Sequence, residues 1–248
     1  MRHVGIGSIE GSRSDMTGIL AIETATDACS VALLRGGEIS ERHEIAPRRH
    51  NNLLFQQLRE LLTPGNLREQ GVDCIAYGVG PGSFTGLRIA AGAAQGLAFS
   101  SSLPVVAVPT LATLVQSALH AGDVSPGDTV LAVVDARIQE VYSAIYQLDG
   151  ELPRLIEGPL ACRPSDLEFD RYDSLRAVGN GCTLLEKAAL SANIDYCSPG
   201  LLPSARNMIP IAQEAFDRGA VQAPGAAQPM YVRDEINWKK LDEQGRSH

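Results

Sequence analysis

The sequence predicts an α/β protein built from two similarly ordered halves, and three observations carry that prediction. Short apolar runs that read as buried strands alternate with stretches of helical periodicity, the pattern of helices laid on mixed sheets. A layout seen early in the chain returns near its middle. "GILAIETATDACSVALLRGGEISERHE" and "TVLAVVDARIQEVYSAIYQLDGELPRL" each give a strand ending near a carboxylate, a second strand, a glycine-containing turn and a third strand. Finally, 248 residues with 44% hydrophobic side chains suffice for one large core or two modest ones.

The elements follow in order. "MRHVGIGSIEGSRSD" shows neither a helical nor a strand period and lacks the apolar stretch of a secretory signal. Residues 1–15 therefore read as a disordered extension, with Met16 as an alternative start. "ILAIET" is a buried strand ending at Glu23 and Thr24. "CSVALLR" and "EISERHEI" form a hairpin across Gly36-Gly37, a two-residue turn signal. "NNLLFQQLRELL" places Leu54, Leu58, Leu61 and Leu62 at helical spacing, with Asn51 or Asn52 as N-cap and Pro64-Gly65 as the stop. "VDCIAYGVG" is a strand, "GPGSFTGLRIAAGAAQG" a loop and helix, "PVVAVPT" a strand and "LATLVQSALH" a helix. The second half repeats the three strands, then gives the strand "LRAVGNG" and helices near 183–191 and 205–218. "AVQAPGAAQP" reads as a flexible linker, followed by a polar tail with Met230, Tyr231 and Trp238 as anchors. The expected division is 1–15, a first half over 16–110, a second over 111–219, and linker plus tail over 220–248.

Composition excludes several classes. The net charge is -8, and the one dense basic cluster, Arg48-Arg49-His50, reads better as a solvated helix start than as an RNA contact. Five widely spaced cysteines without a CxxC pair fit reduced, buried thiols of a cytoplasmic protein rather than a zinc ribbon. Five histidines without an i, i+4 pair give no HExxH metal site. No apolar run approaches the roughly 18 to 20 residues that span a bilayer.

The stretch "GPGSFTGLRIAAGAAQG" resembles a phosphate loop at first sight. A Walker A loop needs a Lys after its glycines, and none follows here. The third glycine of a dinucleotide fingerprint also falls in the wrong place, because Phe84 and Thr85 intervene. The loop reads instead as a tight turn, with Pro81 at its first central position and Gly82 at φ > 0. Ser83 or Thr85 then caps the helix. With Leu87 at 0°, Arg88 falls at about 100° and Gln95 at about 80°. All else from 87 to 99 is apolar or glycine, so the helix is packed on more than one side. Two glycines inside a helix cost up to about 1 kcal/mol each, which points to a close neighbour. That neighbour is either the Leu54–Leu62 helix of the same chain or a partner.

Catalytic constellations are sparse. There is no GxSxG elbow and no local signature of a cysteine nucleophile. Glu23, Thr24 and Asp135 stand at strand ends of the two halves, where a cleft would bring them near a nucleotide or Mg²⁺. They read equally well as hydrogen-bonded turn residues.

Five stretches carry a family resemblance: "GPGSFTGLRIA", "ILAIETATDACSVAL", "RRHNNLL", "VVDARIQEVYSAIY" and "PMYVRDEINWKK". Together they resemble the TsaB family, also called YeaZ, over residues 18–240. The resemblance implies an actin-like (ASKHA) fold with two ribonuclease-H-like halves, each a mixed sheet flanked by helices. It implies a non-catalytic scaffold for the enzyme that places threonylcarbamoyl on N6 of the adenosine beside the tRNA anticodon. The catalytic paralogue would be TsaD, with an HxxxH metal pair that this sequence lacks, and the ATPase TsaE would join them. Contact with tRNA would come mainly through the complex, and the free chain would self-associate. The implied interface helices are residues 50–62 and 85–99, with His50, Leu54, Leu58, Leu61, Leu87, Arg88, Ala91, Gly92 and Gln95 as contacts. Gly80, Pro81, Gly82, Ser83, Thr85 and Gly86 would form the supporting loop. No cofactor of its own is implied, although ATP, ADP or Mg²⁺ could sit between the subunits. Two departures are "ETAT" in place of the commoner DTST and Ala90 in place of glycine. A stand-alone ATP-dependent phosphotransferase is the alternative.

Overall fold

The computed structural model describes residues 17–188 and 193–232. The readings made for residues 1–15, Met16 and Trp238 lie outside the described residues. The first half runs β1 (Ile19–Glu23), β2 (Ala28–Arg35), β3 (Glu38–Ile45), α1 (His50–Leu61), β4 (Cys74–Gly80), α2 (Phe84–Ser101), β5 (Val105–Pro109) and α3 (Thr110–Ala121). The second runs β6 (Thr129–Arg137), β7 (Glu140–Asp149), β8 (Leu152–Cys162), a 3-10 turn (Pro164–Asp166), β9 (Leu175–Val178), α4 (Cys182–Lys187), β10 (Ile194–Ser198) and α5 (Ala205–Asp217).

Each half supplies one five-stranded sheet. The orders are β3-β2-β1-β4-β5 and β10-β9-β6-β7-β8, and the second read backwards is the first. In both, the opening strand pairs antiparallel with the next and parallel with the fourth. The repeated layout in the sequence is thus a repeated topology. β1 is central and buried along its whole length, as its unbroken apolar run requires. β3 lies at an edge and carries the charges that keep such an edge from pairing. Gly36 and Gly37 both take positive φ, the requirement of the two-residue hairpin turn.

The helices show where the cores lie. On one face of the first sheet, Leu20, Ile22, Val31, Ile75 and Tyr77 meet Leu54 and Leu58 of α1 and Ala90, Ala94 and Ala98 of α2. Its other face, with Ile19, Ala21, Ala32 and Val106, is covered by Ala205, Met208, Ile209 and Ala212 of α5. The second sheet presents Val130, Ala132, Val134 and Tyr146 to Leu111, Leu114, Val115 and Ala118 of α3. With α3 counted with the strands before it, rather than in the second half where the expected division at 110/111 puts it, the two halves exchange their last helices. The N-terminus of α5 is also served by the other half. Ser30 Oγ accepts from the Ala205 amide at 2.9 Å, and Glu41 Oε1 accepts from the Arg206 amide at 3.3 Å. Those amides would otherwise be orphans, because Ser204 makes no side-chain cap.

Four local expectations change. The helix α1 begins at His50, and Asn51 and Asn52 lie inside it; its N-cap Arg49 makes no side-chain capping bond. His50 Nε2 lies 3.2 Å from the Ala28 carbonyl instead, so a buried ring ties the helix start to β2. The helix expected near 183–191 is the shorter α4. Gly82 is not the left-handed residue of its loop; Gly80 is, at φ +112°. The stretch 220–229, read as a flexible linker, is a strap. Gln222 exchanges both backbone bonds with Val105, closing the open edge of β5. Ala227 is buried in the core beside α2. Composition missed the strap because small residues and prolines fit a bridged edge as well as a solvated loop.

Candidate functional site

The loop before α2 is built against the turn that follows β1. The Ser83 amide donates to the Ala25 carbonyl at 2.7 Å, and the Thr24 hydroxyl donates to the Gly86 carbonyl at 2.8 Å. Ser83 caps the helix, its Oγ accepting from the Gly86 amide at 3.3 Å. Thr85 lies exposed in the first turn. The glycine spacing follows from these approaches. A Cβ at Gly82 would sit 2.4 Å from the Ala25 carbonyl oxygen, and one at Gly86 only 1.9 Å from that of Thr24. Pro81 is buried beneath the turn. The Ser83 and Gly86 amides, which a phosphate cradle would aim at its ligand, bond to the chain itself.

The carboxylates expected near a nucleotide separate into two environments. Glu23 is fully buried. Its Oε1 accepts from the Ala25 amide at 2.7 Å, and its Oε2 accepts from the Thr110 hydroxyl at 3.2 Å. Burial pushes its pKa up to about 7, against the pull of those donors. Gly78 makes the room, since a Cβ there would lie 2.3 Å from Glu23 Oε2. Thr24 is buried as well. Asp135 instead faces Asp27 of the first half, with Arg137 between them. The Arg137 guanidinium lies 3.2 Å from Asp27 Oδ1 and 3.8 Å from Asp135 Oδ2. Among the described residues, no group of three or more His, Cys, Asp or Glu is placed to hold a metal ion. Burial pushes the Cys29 and Cys74 thiols up to about 12, far from the thiolate a nucleophile needs.

The open surface of α2 is different in kind. Of the residues named as contacts, His50, Leu54, Leu58, Leu87 and Ala91 are packed inside this chain, and Leu61 is half-buried. Their side chains are already used by the first core. Arg88, Gly92 and Gln95 are exposed. A Cβ at Gly92 or Gly96 would meet nothing within 4 Å. The helix α1 therefore does not cover the glycines. Around them stand Phe84 at 52% exposure, Phe99 at 78% and, on α1, Phe55 at 52%. Three of the chain's five phenylalanines are thus more than half exposed on these two helices. At the near end of α2 the Arg88 guanidinium lies 3.7 Å from the Phe84 ring centre, and its Nε donates to the Tyr231 hydroxyl at 3.1 Å. Sequence reasoning missed these aromatics. The signal was present, because Phe84, Arg88, Gly92, Gln95 and Phe99 recur every three or four residues, on one stripe.

The strap delivers Tyr231 to that cluster. The Tyr77 hydroxyl accepts from the Gln228 amide at 3.1 Å, and the Met230 amide donates to the Val79 carbonyl at 2.8 Å. Tyr77→Phe leaves the Gln228 amide unpaired and is expected to destabilise the strap by about 1 kcal/mol. Limited proteolysis should then cut within 220–231 several-fold faster; an unchanged rate would show that the strap is held elsewhere.

Two sheets of one topology, each flanked by helices, define the actin-like class. The family model described as "TsaD: tRNA N6-adenosine threonylcarbamoyltransferase" matches residues 39–212. The chain is 37% identical to the tRNA threonylcarbamoyladenosine biosynthesis protein TsaB of Escherichia coli (strain K12), over 90% of this chain and 97% of that one. It is 34% identical to the protein of the same name from Haemophilus influenzae, over 90% and 96%. The solved structure of YeaZ from Pseudomonas aeruginosa superposes with a TM-score of 0.76 at 36% identity, covering 87% of this chain and all of the other. The chain belongs to the TsaB (YeaZ) family. Among the described residues, no helix is long and apolar enough to cross a membrane.

Proposed function

We propose that this chain is the non-catalytic scaffold of a tRNA threonylcarbamoyladenosine-forming enzyme and holds its TsaD paralogue on the open face of α2. The uncovered glycines of α2, flanked by exposed Phe84 and Phe99, carry the reading. Glycine in a helix costs stability unless something approaches closely, and nothing among the described residues approaches a Cβ placed at Gly92 or Gly96. Exposed aromatics beside a flat, side-chain-free surface are the composition of an interface centre. The acidic net charge supports tRNA contact mainly through the partner, and TsaE joins the assembly as its ATPase. In the absence of TsaD the same face serves self-association. The work is done in the cytoplasm.

The alternative, an ATP-dependent phosphotransferase acting alone, has the actin-like fold in its favour. Against it, Arg137 stands between the two carboxylates that would face each other across the cleft.

Co-expression with tagged TsaD tests the proposal. Gly92→Leu projects from a position whose Cβ meets nothing within 4 Å among the described residues, and is expected to weaken capture at least about tenfold, the effect of overpacking a close interface. Its melting temperature should equal or exceed the wild type. Capture at wild-type strength by a folded variant would remove α2 from the interface. Ala91 is unsuitable for this test, since it is buried and a larger side chain there would injure the core.

A further inference from the structure

The outer face of the second sheet carries a cavity of about 360 Å³, within the usual range for small-molecule sites. Leu131, Ile145, Leu160 and Phe169 give it an apolar lining. Strand alternation puts Ser143 on the same side of β7 as Val141 and Ile145, whose side chains belong to the core on this face. Ser143 is only 2% exposed, lines the cavity, and its hydroxyl bonds to no group among the described residues. Its oxygen opens onto the cavity rather than being sealed in the core, so it is free to hydrogen-bond whatever occupies that space. A polar group of a ligand would take up that bond. The sheet is shaped to leave the space. Opposite Ser143 the ladder between β7 and β8 slips, and Gly158 takes φ +96° with no room for a Cβ, which would lie 2.8 Å from the Ser143 carbonyl oxygen. Such a bulge lifts one strand and re-aims what lies beside it.

The rim supplies the sign of charge. Four carboxylates stand there: Glu157, Asp166, Glu168 and Asp170. Glu157 is ion-paired with Arg171, and Asp166 with Arg163. Glu168 and Asp170 make no ion pair among the described residues, so the mouth keeps an excess of negative charge. We propose that this cavity binds a small organic cation with an apolar body, its ammonium at Glu168 and Asp170 and a hydroxyl or similar polar group at Ser143. This reading does not rest on the proposed scaffold role.

Tyramine is the probe: a phenol, a ring and an ammonium in one short molecule. Calorimetry and ligand-observed NMR on the full chain should find one saturable site with a Kd of about 1 mM or tighter, as ten heavy atoms allow. Its charge-reversed counterpart, 3-(4-hydroxyphenyl)propionate, should bind at least about tenfold more weakly. Ser143→Ala and the double variant Glu168→Gln/Asp170→Asn should each weaken tyramine about fivefold with unchanged thermal melts. No saturable binding, equal binding of the anion, or full affinity in both variants would overturn the proposal.

Discussion

Gly86→Ala is expected to destabilise the protein by about 3 kcal/mol, while Gly92→Ala, on the same helix, is expected to stabilise it by up to about 1 kcal/mol. The added atom is one methyl group in each case. At Gly86 it would lie 1.9 Å from the Thr24 carbonyl oxygen, a backbone atom that cannot swing aside. Relief would require α2 to retreat from the turn after β1, breaking the Thr24–Gly86 bond at 2.8 Å and the Ser83–Ala25 bond at 2.7 Å. At Gly92 the methyl meets nothing within 4 Å, so only the helix propensity and the lost freedom of the unfolded chain count. Urea denaturation of the two variants beside the wild type measures both. A Gly86→Ala protein as stable as the wild type would mean that the glycines of this loop serve something other than close approach. A loss of stability at Gly92→Ala would mean that this face is already covered, within the chain or by a second copy.

Glu23→Gln is expected to remove a dependence of stability on pH. The folded-state pKa of about 7 lies above the ordinary 4.5, so the folded protein binds this proton more tightly than the unfolded chain does. The stability it contributes is fully present below about pH 4.5 and is lost as pH rises through 7. A shift of that size in a fully buried group corresponds to about 3 kcal/mol. The amide cannot ionise, and its oxygen still accepts from the Ala25 amide. Relative to the wild type, the variant should therefore gain about 3 kcal/mol between pH 4 and pH 8 in denaturant melts. Depressed carboxylates such as Glu214 titrate alike in both proteins and cancel in the difference. A constant difference across that range would place the Glu23 pKa near its ordinary value.

Much of the architecture was legible because the sequence has strong local phase. Alternating apolar runs, the Gly36-Gly37 turn and the leucines of α1 fix element order through periods that do not depend on distant residues. Burial on α2 was harder. Nearly every residue from 87 to 99 is apolar or small, so the hydrophobic pattern has no direction, and only the sheet beneath chooses which alanines face inward. Leu54 and Leu58 were assigned to a partner, but leucines at helical spacing serve a helix's own core first. Phe55, one residue off that phase, is the exposed one. Glu23 and Asp135 stand at or near the ends of corresponding strands, and their likeness in sequence suggested one site. Their environments diverge through residues that no local window contains: Gly78 and Thr110 around Glu23, Asp27 and Arg137 around Asp135.

The exchange of terminal helices has a consequence for the order in which the protein is made. The five strands of the first sheet are complete once β5 has left the ribosome, but the helix that covers their second face is α5. Roughly 100 residues separate the two, about 5–20 s of synthesis at usual rates. Through that interval Ile19, Ala21 and Val106 lack their native cover, and Ser30 and Glu41 await the amides they will cap. A nascent chain halted anywhere before Ala205 would carry a finished sheet with one greasy side bare. Stalled or truncated products are therefore substrates for chaperones and proteases, however well the early residues have folded.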